Sequence, residues 1–241
     1  MTLLEAIDKR HSRRKYLSTP IQKDIAEKLE TYANELSLLC GVRIEWAWND
    51  GAAFAGFRKS YGMFSGVKNY AGLIADKDDV LAVERLGYYG ELLNLYAVTL
   101  GLGTCWVGGS LDRNACPFEL SGNETVICTI VMGYVAEPDS LKERMIRGAV
   151  HRKTKSISDM MKPAAVPDWF MAGMTAVLKA PSAVNRQPVM FSYSGGTARA
   201  EILKTGDFTL FIDLGIAKAH FELGSGCGKW AFGNSAEFSL F

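Results

Sequence analysis

APSAVNRQP, residues 180–188, is the stretch whose reading decides the fold. Pro181 and Pro188 fix the backbone, while Ser182, Asn185 and Gln187 offer donors and acceptors at the end of an apolar helix. That composition suits the wall of a ligand pocket; it also suits an ordinary helix-to-strand loop. A second stretch, RHSRRKY at 10–16, sets Arg10, Arg13, Arg14 and Lys15 around the hydroxyl of Ser12. Arginine forks beside a hydroxyl match the geometry of a terminal phosphate. A basic run is equally a solvated face or a nucleic-acid patch. Arg147, His151, Arg152, Lys153 and Lys155 form a second basic group, read as a loop that is either solvated or turned toward the same anion.

The chain has 241 residues, 48% of them apolar, enough to bury a sizeable core. Its 27 basic and 26 acidic residues leave a net charge of +1, which argues against nucleic acid and anionic membranes as partners and makes any anion binding local. Cys40, Cys105, Cys116, Cys128 and Cys227 are odd in number and scattered, as free thiols of a reducing compartment are. His11, His151 and His220 are too dispersed to suggest a metal site. Glu5 and Asp8 interrupt any apolar leader, so a cytoplasmic location is expected. The uncharged run from Leu92 to Leu111 carries Asn94, Thr99, Thr104 and several glycines, and reads as a buried helix entering a strand.

Along the chain, Thr2 and Glu5 form a capping box for a first helix that delivers the basic run at its end. Apolar spacing predicts helices over 21–40, 84–101, 168–178 and 215–223, and strands over 42–48, 70–75, 124–135, 189–193, 208–212 and 236–241. LGLGTCW at 100–106 and LGSGCGKW at 223–230 end the two central helices alike, from an internal duplication or from glycine-rich helix ends recurring by chance. The proline-punctuated segment 162–167 divides a first half, 1–163, from a shorter second half, 164–241.

These residues resemble the flavin-dependent nitroreductases. Arg10 to Tyr16 is similar to the family's N-terminal RRSxRxF-type motif, and Ala180 to Pro188 to its APSxxNxQP motif. LGLGTCWVGG at 100–109 is similar to the glycine-rich turn after the family's central helix. Ordinary members carry the second motif soon after the first and build the flavin site between two identical subunits. Here residues 36–43 retain none of it, and the motif begins at 180. The resemblance therefore implies an α+β, nitroreductase-like fold, an antiparallel or mixed sheet flanked by helices, with two pseudo-repeats in one chain. Such a monomeric pseudo-dimer would hold one flavin site, with higher assembly left open.

By the same resemblance, Arg10, Ser12 and Arg14 contact the phosphate, ribityl chain or ring edge of FMN, with His11 at a variable position of the motif. Pro181, Ser182, Ala183 and Asn185 line the ring and ribityl chain, and Val107, Gly108 and Gly109 supply backbone contacts. Lys68 faces the pyrimidine end, and Arg152 and Lys153 complete the phosphate site. The implied reaction takes hydride from NADH or NADPH and reduces a small-molecule acceptor such as a nitroaromatic or quinone. The cofactor carries the chemistry, so no side chain is singled out as catalytic. Desaturation, reductive dehalogenation, and flavin storage without turnover are the alternative readings. If the two motifs share one site, Arg10→Ala and Asn185→Ala each weaken flavin retention, measured as flavin released per monomer after gel filtration.

Overall fold

The computed structural model describes residues 1–41, 43–55, 62–151, 154–204 and 206–241. Thr2 caps helix α1 (Leu3–Lys9) as expected: the Glu5 N–H donates to Thr2 Oγ1 at 3.2 Å, and the Thr2 N–H to Glu5 Oε2 at 2.7 Å. Helix α2 (Lys23–Cys40) stops at Gly41, whose φ of 67° suits a left-handed cap. Strand β1 (Arg43–Ala47), the short helix α3 (Ala52–Ala55) and strand β2 (Asn69–Asp76) lead to helix α4 (Val80–Thr99). Val42, the expected start of β1, lies outside the described residues. Asp79 accepts from the Leu81 and Ala82 N–H groups, so α4 begins ahead of the Glu84 expected from the apolar stripe. Strands β3 (Gly103–Val107) and β4 (Glu124–Gly133) complete a sheet of order β1-β2-β4-β3.

Helices α5 (Leu141–His151), α6 (Ile157–Met160) and α7 (Asp168–Val177) follow. Strands β5 (Val189–Ser194) and β6 (Thr197–Ile202), helix α8 (Thr209–Ser225), and strands β7 (Gly228–Trp230) and β8 (Glu237–Leu240) finish the chain. The second sheet has order β5-β6-β8-β7, the arrangement of the first, and every pairing between named strands is antiparallel. No helix among the described residues is long and apolar enough to cross a membrane.

Three expectations are corrected. Phe208 to Ile212 is not a strand but the start of α8: Asp207 Oδ1 accepts from the Thr209 N–H at 3.0 Å and from its hydroxyl at 2.6 Å. This helix is buried around most of its girth, so its sequence shows an apolar run instead of a 3.6-residue period. The missing strand is β6, reached through the Gly195-Gly196 turn, with φ of 59° and 84°. Arg147 belongs to a helix, α5, and not to a loop.

The two long helices α4 and α8 meet backbone to backbone. A Cβ on Gly215 would lie 2.0 Å from the Glu84 carbonyl oxygen, and one on Gly87 2.2 Å from that of Ile212. Two fully buried polar pairs bridge the same contact. Lys218 Nζ donates to Glu84 Oε1 at 2.5 Å and to the carbonyls of Ala231 and Gly233, and His220 Nε2 lies 2.8 Å from Glu91 Oε1. The Trp106 indole N–H and the Asn94 amide both donate to Glu91 Oε2. Phe170 of α7 and Phe221 of α8 form an aromatic core with Phe191, Trp230 and Phe238 of the second sheet.

The basic run is fastened as an arm along β3. Ser12 bridges Thr104, the Arg13 N–H donates to the Thr104 carbonyl at 2.8 Å, and the Tyr16 N–H to that of Ser65 at 2.9 Å. Glu143 of α5 collects the arm's backbone. Its Oε1 accepts from the N–H groups of Arg14 and Lys15 at 2.8 and 3.1 Å and from Arg13 Nε at 3.3 Å, and its Oε2 accepts from the Ser140 N–H and hydroxyl. Burial raises the pKa of this carboxyl, but the donated hydrogen bonds outweigh burial and hold it at about 2, below its ordinary 4.5.

Two outcomes are expected. Gly215→Ala forces α4 and α8 apart and costs about 3 kcal/mol, read from the urea midpoint. Because its pKa is depressed on folding, Glu143 contributes in full above about 4.5 and loses that contribution as pH falls toward about 2. Glu143→Gln therefore lowers stability by about 3 kcal/mol at neutral pH, and its gap to the wild type closes in acid, checked by urea midpoints across pH.

Candidate cofactor site

The arm sorts its cations by direction. Arg13 is buried and spent inside the fold, with Nη1 on Glu137 at 2.6 Å, Nη2 on the Ala136 carbonyl at 2.6 Å, and Nε near Asp139 and Glu143. His11 Nε2 lies 2.9 Å from Asp139 Oδ1, which leaves this variable position of the motif tied to protein. Arg10 and Arg14 are different. Arg10 Nε and Nη1 and Arg14 Nε are buried nitrogens with no hydrogen-bond partner among the described residues. Unpaired buried guanidinium donors are costly in a finished fold and call for an anion or an acceptor.

Cys105 of β3 shows that these groups converge. Burial pushes its thiol up, while Arg14, the Ser12 hydroxyl and Arg10 each pull it down. The arm thus presents two arginine forks and a hydroxyl around one point of β3. That strand continues into Val107, which is buried, and into Gly108 and Gly109, which are exposed and have open space where a Cβ would stand. Arg113 Nη2 takes the Gly108 carbonyl at 2.6 Å, and its Nε takes that of Val126 at 2.8 Å, fixing the turn from behind.

At the other stretch, the turn over 183–187 is held against its backbone preferences. Val184, Asn185 and Gln187 have φ of 47°, 55° and 45°, and left-handed backbone is least tolerated by β-branched valine. The Gln187 N–H donates to Ser182 Oγ at 2.9 Å, and the Ala183 N–H to Asp213 Oδ1 of α8 at 3.1 Å. The segment following α5 grips the same turn. Asn185 Nδ2 donates to Thr154 Oγ1, the Lys155 N–H to Gln187 Oε1, and Lys155 Nζ to the Gln187 carbonyl. Arg152 and Lys153, just before Thr154, lie outside the described residues.

Two contacts draw the arm and the turn toward each other. Asp8, near the end of α1, pairs with Lys179, which leads into Pro181. Ala6 and Ile7 pack on Leu95 and on Ala176 of α7. Among the described residues, no hydrogen bond or ion pair joins the Lys68 side chain to either stretch; Lys68 is exposed just before β2. Sequence reading missed Glu143, the anchor of the arm, and Asp213, the anchor of the turn. Asp213 had a signal: it is a lone acid inside the apolar run FTLFIDLGIA at 208–217. Burial raises its carboxyl to about 7, against the opposing pull of the Ala183 N–H and Arg186.

Partnerless arginine donors, a hydroxyl and an open glycine turn fit a phosphorylated planar group. A family model described as "Putative TM nitroreductase" matches residues 2–225. Among solved structures, a "putative nitroreductase" from Thermotoga maritima MSB8 is similar over the whole of this chain and 93% of its own, at 22% identity and a TM-score of 0.66. The FMN-dependent nitroreductase from Clostridium difficile R20291 matches 56% of this chain and 88% of its own, at 21% identity and a TM-score of 0.45. The NADPH:FMN oxidoreductase from Vibrio harveyi, solved with NAD+, matches 57% and 71%, at 18% identity and a TM-score of 0.45. None of the curated proteins matches the chain. The fold of the Thermotoga protein extends over the entire length, the family model covers nearly all of it, and the chain accordingly belongs to the nitroreductase family that this model describes.

Proposed function

We propose that this chain is an FMN-dependent oxidoreductase that takes hydride from NADH or NADPH and reduces a nitroaromatic, a quinone or a similar small acceptor. The observation that carries the reading is the set of nitrogens on Arg10 and Arg14 that lack a partner among the described residues, on an arm that Ser12 joins to Thr104 of β3, the strand that leads to the open turn at Gly108 and Gly109. Bound there, FMN would supply reversible two-electron chemistry between the nicotinamide and the acceptor.

The residues of the chain then divide the work of holding it. Arg10, Ser12 and Arg14 bind the phosphate, ribityl chain or ring edge, with Arg152 and Lys153 as further phosphate partners. Val107, Gly108 and Gly109 let backbone N–H groups approach the ring, where such donors stabilise negative charge as it develops. Pro181, Ser182, Ala183 and Asn185 wall the opposite side, and Lys68 serves the pyrimidine end. Buried Glu143 and Asp139 keep Arg13 and His11 out of this work, so the free arginine donors stay aimed at the ligand.

The separation of the two motifs follows if the chain is a pseudo-dimer of halves 1–163 and 164–241. In support, both halves build a four-stranded antiparallel sheet of the same order, and their long helices meet at Gly87 and Gly215. The arm survives in the first half and the wall in the second, which leaves one site per chain and makes the monomer sufficient, in the cytoplasm, for activity.

The purified full-length protein should bind FMN and show a flavin spectrum that NADH or NADPH bleaches and a quinone restores. A flavin spectrum that neither nicotinamide bleaches would indicate storage without turnover, and a colourless protein that takes up no added FMN would end the flavin reading.

A further inference from the structure

Asp213 is an acid that meets the turn from α8, and nothing in the motif accounts for it. It sits on α8, 4% exposed, in an otherwise apolar stretch. Both its oxygens face the Ala183 N–H, at 3.1 and 3.4 Å. Ala183 opens the turn in which Val184, Asn185 and Gln187 all have positive φ. Backbone in that state persists only where its surroundings over-determine it. Asp213 is the α8 contribution to that constraint.

We propose that Asp213 is a positioning residue for flavin binding: its carboxyl reaches from α8 to the Ala183 N–H and holds the 183–187 turn in the shape that the ligand wall requires. The proposal rests on the flavin reading of the site, and extends it to a residue that touches no ligand.

The surroundings say in which form the latch works. Asp213, Pro181, Ser182 and Gln187 border a cavity of only about 10 Å3, room for one water at most, and Val177, Val189 and Ala217 make much of its remaining wall apolar. Gln187 Nε2 is buried there with no partner among the described residues, while its Oε1 is taken by the Lys155 N–H. The charged and titratable groups that face Asp213 are few. Arg186, on the turn, favours its ionised form; Asp207, before α8, opposes it; and Cys128, on β4, feels its charge. On α4, Glu84 and Glu91 are committed to Lys218 and His220. Burial is the largest influence, and it raises the carboxyl from 3.8 to about 7.

The sign follows from that rise. A turn that closes over Asp213 favours the neutral acid, so the latch is complete below about 3.8, where the solvated acid is also neutral. Its contribution fades as pH rises through about 7. An amide keeps a carbonyl acceptor for Ala183 and cannot ionise, which makes Asp213→Asn the conservative rescue.

The test uses the full-length chain and two readouts: hydrogen exchange at the Ala183 amide, corrected for intrinsic rate, and FMN affinity by fluorescence quenching, both from pH about 5 to about 8.5. In the wild type, protection of Ala183 and FMN affinity should both fall as pH rises toward 7. Asp213→Asn should keep both and lose their pH dependence. Asp213→Ala, which removes the carboxyl acceptor of the Ala183 N–H, should lose protection at every pH and weaken FMN about tenfold or more. The proposal is overturned if Asp213→Ala keeps wild-type protection, or if Asp213→Asn keeps the wild-type pH profile. If the exchange results hold while the wild type binds no FMN, the latch stands and the flavin reading falls.

Discussion

The contact between Gly87 and Gly215 is the constraint on which the other parts of this molecule depend. With no side chain at either position, α4 and α8 approach until the backbone of one lies in van der Waals contact with that of the other. Each helix carries one four-stranded sheet, so this one crossing sets how the two sheets stand relative to each other. It also sets where α1 and α7 lie, since Ala6, Ile7, Leu95 and Ala176 pack together at its flank.

Two buried polar pairs accompany that crossing, and their chemistry is one of register more than of strength. Taking Lys218 and Glu84 fully out of water costs several kcal/mol, offset by their mutual attraction and by the carbonyls of Ala231 and Gly233. The Glu84 carboxylate also receives the Gly233 N–H at 2.7 Å, which ties α4 to the loop before β8. A slip of the helices by one turn would strand these charges. Apolar side chains alone would tolerate such a slip far better.

The arm shows how one basic run serves two purposes. Its cations look interchangeable in a line of text, and the electrostatics separate them. Buried Asp139 and Glu143, with Glu137 at the exposed rim, form an acidic nest that takes Arg13 inward, and Glu143 also holds the backbone of Arg14 and Lys15. Arg10 and Arg14 are left with open donors because no acid among the described residues pairs with them. Under the proposed function, the ligand supplies that acceptor, and the acidic nest keeps the arm rigid enough to offer it.

Much of the fold could be read from local pattern. Thr2 and Glu5 announced α1, apolar spacing over 21–40 placed α2, and alternating or short apolar runs placed β1, β2 and β4 to within a residue or two. The errors fell where local pattern carries little information. The start of α8 looks like a strand because a helix buried on nearly all sides loses its polar face, and with it the period that marks a helix. The two stretches to which the proposed function assigns the site were visible because proline, arginine and amide side chains restrict local conformation and chemistry by their own structure. Their supports, Glu143 and Asp213, were not, since nothing near either residue shows what it will meet.

What the sequence by itself determined was therefore the inventory: caps, strands, two central helices, a basic arm and a proline-bounded turn, each specified by residues within a few positions of one another. Only the tertiary structure decided which arginine nitrogens lack a partner among the described residues, which acid meets the turn, and that Asp8, ahead of the arm, pairs with Lys179, ahead of the turn. Those outcomes depend on burial and on partners far away along the chain, and desolvation acts on a group only after the fold has brought its neighbours into place.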